Sequence, residues 1–197
     1  MNRERPVMLG TPAEIRLPLA LYESIPVGVM CMPDGTELAA SLGLTRAMAG
    51  KLRERALDDA DEELQKNTSD RARFGEGSYE TWYGKERYPF VLTDKEGDLA
   101  ALVWFGPEPL PSGESGTEDQ SRSATMGFRS YMPYRGCGIM TPFSRFAIDT
   151  YLTARPGRKL WLATDAANEA AVRLYRKLGF ETLHTVDDGA RLIMTMD

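Results

Sequence analysis

Apolar and polar positions follow two rhythms along the chain, and each change of rhythm marks an element. Residues 11–34 are apolar but broken by proline, which suits a strand or irregular entry segment better than a long helix. Residues 36–66 read as two helices in succession. Leu38 and Leu42 share one face before a break at Gly43. Thr45 then caps a second helix with apolar positions Met48, Leu52, Ala56, Ala60 and Leu64. The acidic run DDADEE, 58–63, falls on the solvated face of that helix, with Arg53 and Arg55 as balancing charges. In YPFVLTDKEGDLAALVWFG, 88–106, two apolar runs flank DKEGD, where Gly97 suits a turn position of positive φ, so the segment reads as a hairpin.

Residues 107–123, PEPLPSGESGTEDQSRS, are rich in Pro, Gly, Ser and acid and read as a flexible loop rather than a domain boundary. ATMGFRSYM, 124–132, reads as a strand. After PYRGCG a helix starts near Ile139, with Ile139, Phe143, Phe146, Ala147 and Thr150/Tyr151 on one face and Pro142 in the first turn. Pro156 and Gly157 end it. KLWLAT, 159–164, has the continuous apolar run of a buried strand. Asn168 caps a further helix whose stripe is Ala171, Leu174, Tyr175 and Leu178, and Gly179 closes it with Phe180 packing back. FETLHTV and ARLIMTM, joined by DDG, form a closing hairpin. This order predicts an α/β (α+β) sandwich.

Composition narrows the function classes. The 197 residues are 42% hydrophobic and 27% charged, as in a globular domain. A net charge of −5, a pI of about 5.1 and the lack of a Lys/Arg-rich block disfavour nucleic acid as a partner. Two cysteines, Cys31 and Cys137, and one histidine, His184, supply neither a disulfide framework nor a zinc site. MNRERPVMLG has no apolar signal core, and LPLALYESIPVGVMCM is too short and too interrupted to span a bilayer. A cytoplasmic protein is expected.

PYRGCGIM, 133–140, carries the chemistry. Glycines between a strand and a helix let backbone amides approach an anion at the helix N-terminus. The amides of Gly136, Cys137, Gly138, Ile139 and Met140 would line such a cradle, with Arg135 at its rim. An ordinary tight turn explains the same glycines. Neither a GxxxxGK[ST] nor a GxGxxG pattern is present.

PYRGCGI followed by NEAAVRLYRKLGFE resembles the GNAT superfamily of N-acetyltransferases. Its acetyl-CoA loop reads (Q/R)-x-x-G-x-(G/A) and its later segment N-x-x-A-x-x-L-Y-x-x-x-G-F. Arg135 and Gly138 fill the first two fixed positions of the loop. Asn168, Ala171, Leu174, Tyr175, Gly179 and Phe180 fill every fixed position of the segment. The last loop position, Gly or Ala in the family, is Met140.

The resemblance implies one N-acetyltransferase domain with a mixed, mostly antiparallel sheet flanked by helices and splayed at the acetyl-CoA site. Residues 1–87 would form the acceptor side and 88–197 the acetyl-CoA-binding core. It further implies that acetyl-CoA is the cosubstrate, without a metal. Its pyrophosphate would rest on amides 136–140, and its pantetheine would pair with the edge at Ser130, Tyr131 and Met132. Asn168 would border the cofactor, and Tyr175 would protonate the departing thiolate. The acceptor would be a primary amine of a small molecule or protein, attacking the thioester directly, and a homodimer is compatible with this reading.

ATMGFRSYM holds no Asp or Glu, so Asp165, Glu80 or a water chain is left to take the amine's proton. An acyl-CoA-binding or regulatory module without turnover is the alternative, and an RNA-directed acyltransferase is disfavoured by the acidic balance. Cys137 reads as a loop filler, because no histidine stands near it to form a Cys/His pair. His184 reads as a strand or surface histidine. Tyr79, Trp82, Tyr83 and Tyr88 suit core packing, with a wall of the acceptor pocket as the sharper role.

Overall fold

The computed structural model describes residues 5–10, 15–111 and 122–196. The centre of the 107–123 loop and the start of the 11–34 entry segment lie outside the described residues. Among the described residues, nine strands form one sheet in the order β1-β2-β3-β4-β5-β6-β7-β9-β8. They are β1 (Val7–Leu9), β2 (Ile25–Cys31), β3 (Glu37–Leu42), β4 (Tyr88–Thr93), β5 (Leu99–Pro107), β6 (Ser123–Ser130), β7 (Lys159–Asp165), β8 (Glu181–Val186) and β9 (Arg191–Met196). Every neighbouring pair is antiparallel except β6 and β7.

Helices cover both faces. On one lie α4 (Met140–Ala154) and α5 (Glu169–Leu178), packed through Phe143, Ala147, Tyr151 and Leu178 onto Phe90, Phe105 and Leu162. On the other lie α1 (Arg46–Ala56), α2 (Glu62–Asn67), a π-helical turn (Arg71–Gly75) and α3 (Tyr79–Tyr83). Their Leu52, Leu64, Phe74 and Trp82 meet Val91, Leu102 and Trp104. Being covered twice, β4 is buried at every position and β5 at all but its last. No helix of the described residues is long and apolar enough to cross a membrane.

The final third follows its sequence pattern closely. Asn168 caps α5 by accepting from the Ala171 amide at 3.1 Å, and Gly179 ends the helix at φ 101°. The 88–106 hairpin and the closing hairpin form as expected.

Two expectations fail nearer the N-terminus. Residues 37–42 form β3, not a helix. Leu38 and Leu42 fit a helical i, i+4 pair, but Leu38, Ala40 and Leu42 also fit period two, and pairing with β2 and β4 decides between them. The turn signal was PDG at 33–35, where the Gly35 amide donates to Met32 O at 3.0 Å. The helix predicted to run through Leu64 stops at Ala56. Asp61 recaps the chain by accepting from the Leu64 amide at 3.0 Å, so Ala60 lies between helices.

Candidate active site

Strands β6 and β7 pair only through Ser123–Lys159, Ala124–Leu160 and Thr125–Trp161. Beyond Thr125 the sheet opens, and a cleft of about 1040 Å³ occupies the gap. Its walls include Phe128 and Ser130 of β6, Ala163 and Asp165 of β7, and Asn168 and Tyr175 of α5. Gly127 forms part of its floor. A Cβ there would lie 2.5 Å from Trp104 Nε1, so only glycine lets that indole cross under β6.

The strand-to-helix loop borders the same cleft. Gly136 and Gly138 sit at φ 79° and 82°, conformations that glycine adopts without strain. The amides of Gly136, Gly138, Ile139 and Met140 have no backbone partner among the described residues, whereas Cys137 N–H donates to Tyr134 O at 3.3 Å. Ile139 is buried and anchors the loop to the α4 face. The half-buried Met140 packs its side chain against the same core. The Cys137 thiol is exposed and lies 3.8 and 3.9 Å from the carbonyl oxygens of Pro133 and Arg135.

Alternation along β6 points the N–H and C=O of Met126, Phe128 and Ser130 away from β5, toward the opening. Two arginines occupy part of that edge. Arg129 donates to Phe128 O at 2.6 Å, and Arg135 donates to Ser130 O at 3.2 and 3.0 Å. Each arginine is held by the N-terminal helices. Arg129 forms a two-toothed pair with Asp70 at 2.6 and 2.7 Å, and Arg135 does the same with Asp61 at 2.8 and 2.6 Å. Glu63 adds a further contact to Arg135 at 3.3 Å. DDADEE is therefore not simply a solvated face. Asp59 pairs with Arg71, and Asp61 and Glu63 with Arg135, while Arg53 donates to Gly75 O.

Neither Asp70 nor Arg129 was singled out from sequence. An arginine in an otherwise apolar strand signals a buried carboxylate partner, though it does not say which one. Burial works against the Arg129 charge, but Asp70 outweighs it and raises the guanidinium pKa further. The Arg135 hydrogen bonds hold Asp61 below the usual carboxylate range.

Tyr175 projects from α5 between Phe128 and Phe180, with ring centroids 5.0 and 6.3 Å away. Burial pushes its phenol up. The Arg129 charge and the neighbouring Thr164 side chain oppose that rise. The remaining expected residues scatter. Tyr131 turns into the opposite core and donates its amide to Ala100 O at 3.0 Å, while Met132 is exposed. Asp165 lines the cleft. Glu80 does not, and its carboxylate accepts from the Tyr22 hydroxyl on the surface of α3. Tyr79, Trp82 and Tyr83 pack in one aromatic cluster, Tyr88 in another on the far face, and His184 is half-buried in β8.

The Acetyltransferase (GNAT) family model matches residues 51–180. The chain belongs to the GNAT family of acetyltransferases. Solved structures share its fold. The GNAT domain of S. lividans PAT superposes with a TM-score of 0.63 at 14% identity, covering 86% of this chain and 95% of that one. Mycobacterium smegmatis RimJ, in complex with CoA-disulfide, gives 0.60 at 18% identity over 89% and 87%. Spermidine N-acetyltransferase from Vibrio cholerae, in complex with CoA and spermine, gives 0.58 at 19% identity over 80% and 93%. No curated protein matches the chain significantly.

Proposed function

We propose that this GNAT protein transfers an acetyl group from acetyl-CoA to a primary amine by direct attack. The observation that carries the proposal is the opening between β6 and β7, bordered by a loop with four amides that lack a backbone partner among the described residues, and entered by Tyr175. The residues fit acetyl-CoA. Its pyrophosphate would rest on the amides of Gly136, Gly138, Ile139 and Met140 at the α4 N-terminus, with Cys137 contributing only loop backbone. Arg135 braces this loop through Ser130 O and Asp61 rather than reaching into it. The pantetheine would follow the β6 edge past Ser130, with Tyr131 and Met132 turning the chain out of the strand. Asn168 borders the opposite wall.

When bound, acetyl-CoA supplies the thioester carbonyl. Tyr175 then has one task, to give its hydroxyl proton to the departing sulfur. A phenol titrates near pH 10 and a thiol near 8.5, so the transfer needs stabilisation of the phenolate. The Arg129 charge, held on the cleft edge by Asp70, supplies it. Burial keeps the phenol protonated at neutral pH, so the proton is available. The amine's proton passes to Asp165, the one of the two candidate carboxylates that lines the cleft, or to water. The N-terminal helices form the acceptor side.

Tyr175→Phe is expected to lower kcat by about 100-fold or more while acetyl-CoA affinity holds. CoA release over a panel of amines measures the first and calorimetry the second. An unchanged kcat would remove Tyr175 from the chemistry. The arginines on Phe128 O and Ser130 O favour a second reading, a CoA-binding module without turnover. CoA binding with no turnover of any amine would establish that one instead.

A further inference from the structure

Beyond the thioester gap the cleft extends under β5, and a second cavity of about 440 Å³ adjoins it. The two share Ser69, Arg73, Trp104 and Glu108. Arg73 thus stands at their junction, on the side of the N-terminal helices.

The charges there do not balance. Three guanidiniums, of Arg73, Arg87 and Arg129, share two carboxylates, Asp70 and Glu108. Arg129 takes both Asp70 oxygens, leaving Arg73 one long contact of 3.4 Å to Oδ1. Glu108 serves Arg87 at 3.1 Å. Among the described residues Arg73 makes no other hydrogen bond, so most of its five donors are unused. Its guanidinium carbon lies 5.3 Å from the centre of the Trp104 ring, and that of Arg87 lies 5.1 Å from it. Burial first, and then the charges of Arg129 and Arg87, depress the Arg73 pKa, as expected where positive charge is uncompensated. Lys85 adds a further cation on the wall of the smaller cavity. The acids of the 58–63 run that would draw a polycation are engaged elsewhere, Asp59 by Arg71 and Asp61 and Glu63 by Arg135, which leaves Asp165 on the β7 wall as the carboxylate nearest the reacting amine.

Resting on the acetyl-transfer reading, we propose that the acceptor is a small primary amine that also bears a carboxylate, an amino acid in chemical class. The Arg73 fork receives the carboxylate at the junction, and Trp104 supplies an apolar floor for the carbon chain between the two groups. The amine nitrogen is left facing the thioester. It bonds to the acetyl carbon as the C–S bond breaks. One proton leaves the nitrogen, one reaches the sulfur, and an N-acetylamino acid and CoA result. The selectivity is opposite to that expected for spermine, which is bound in the Vibrio cholerae structure and offers no anion to Arg73.

The test is a matched panel: free amino acids, their amides, their decarboxylated amines, and spermidine, each with saturating acetyl-CoA. Free acids are expected to exceed their amides and decarboxylated amines in kcat/KM by about 10- to 100-fold. In Arg73→Met that ratio should fall toward one, mainly through a higher KM for the acids. Arg73→Lys, which keeps the charge but not the fork, should recover part of it. Lys85→Gln, a change away from the Asp70 pair, should lower the ratio by a smaller factor even if Arg73→Met fails to fold. Equal or better turnover of amides, decarboxylated amines or spermidine would overturn this inference and leave acetyl transfer standing. No turnover of any amine would overturn both.

Discussion

Two arginine–aspartate pairs tie the N-terminal helices to the cleft, and they differ in what remains when one member is lost. Arg129 lies inside β6 with its side chain 13% exposed, against an Asp70 side chain that is 2% exposed. Arg135 lies on the loop, 19% exposed, against an Asp61 side chain that is 8% exposed, and has three kinds of acceptor: Asp61, Glu63 and Ser130 O. Without Asp70, Arg129 keeps only Phe128 O among the described residues. The geometry of the two pairs is alike, but the consequences of breaking them are not. A buried ion pair matters to stability chiefly through the charge left behind when it breaks. A pair with spare acceptors at a rim constrains a loop without holding the fold.

The largest effect therefore belongs to Asp70→Ala, which is expected to cost about 3–5 kcal/mol in denaturant unfolding. It also leaves Arg129 free to shift away from Tyr175, and if Tyr175 is the proton donor proposed above, kcat should fall. A cost below about 1 kcal/mol would mean that water reaches Arg129 and that the two pairs are equivalent.

Replacing both members sharpens the point. Asp70→Leu with Arg129→Met removes both charges and should recover stability to within about 1–2 kcal/mol of the native protein. Activity should not return with it, because the Arg129 charge beside Tyr175 is gone. Recovery of both would show that Arg129 serves the fold alone.

The same contrast explains what could be read from sequence. Residues 124–196 carry their instructions locally. Asn168 caps its own helix, Gly179 ends it, and the stripe from Ala171 to Leu178 fixes its face. The two glycines of the loop were likewise legible, since their positive φ is set by the turn itself. Residues 37–42 were misread because Leu38 and Leu42 satisfy both periods, and only β2 and β4 select the strand. Arg135 reads as a rim residue from its place in the glycine loop, but its Asp61 partner lies 74 residues away in the chain. Arg129 needed a carboxylate, and the sequence offers 29 acidic residues without ranking them. Long-range pairing of charges leaves no periodic trace, so the docking of the N-terminal helices onto the cleft was the part that pattern could not supply.

The smallest expected effect is also the most discriminating. Asp61→Asn keeps an N-cap acceptor for the Leu64 amide and removes the charge facing Arg135. Its stability cost should stay under about 1 kcal/mol, because Glu63 and Ser130 O still hold the guanidinium. Arg135 holds the Asp61 pKa below its usual value, so the pair's contribution is complete above the unfolded carboxylate value near 3.8. It is lost only as pH falls through the lower folded value. Acetyl-CoA affinity should thus show no titration from Asp61 across neutral pH. If Arg135 braces the loop, Asp61→Asn loosens the amide cradle and weakens acetyl-CoA binding by a few-fold, about 1 kcal/mol or less. If Arg135 is instead a phosphate ligand restrained by Asp61, the same change releases it and tightens binding. Calorimetry with acetyl-CoA reads the sign directly, and a gain in affinity would turn the brace into a latch.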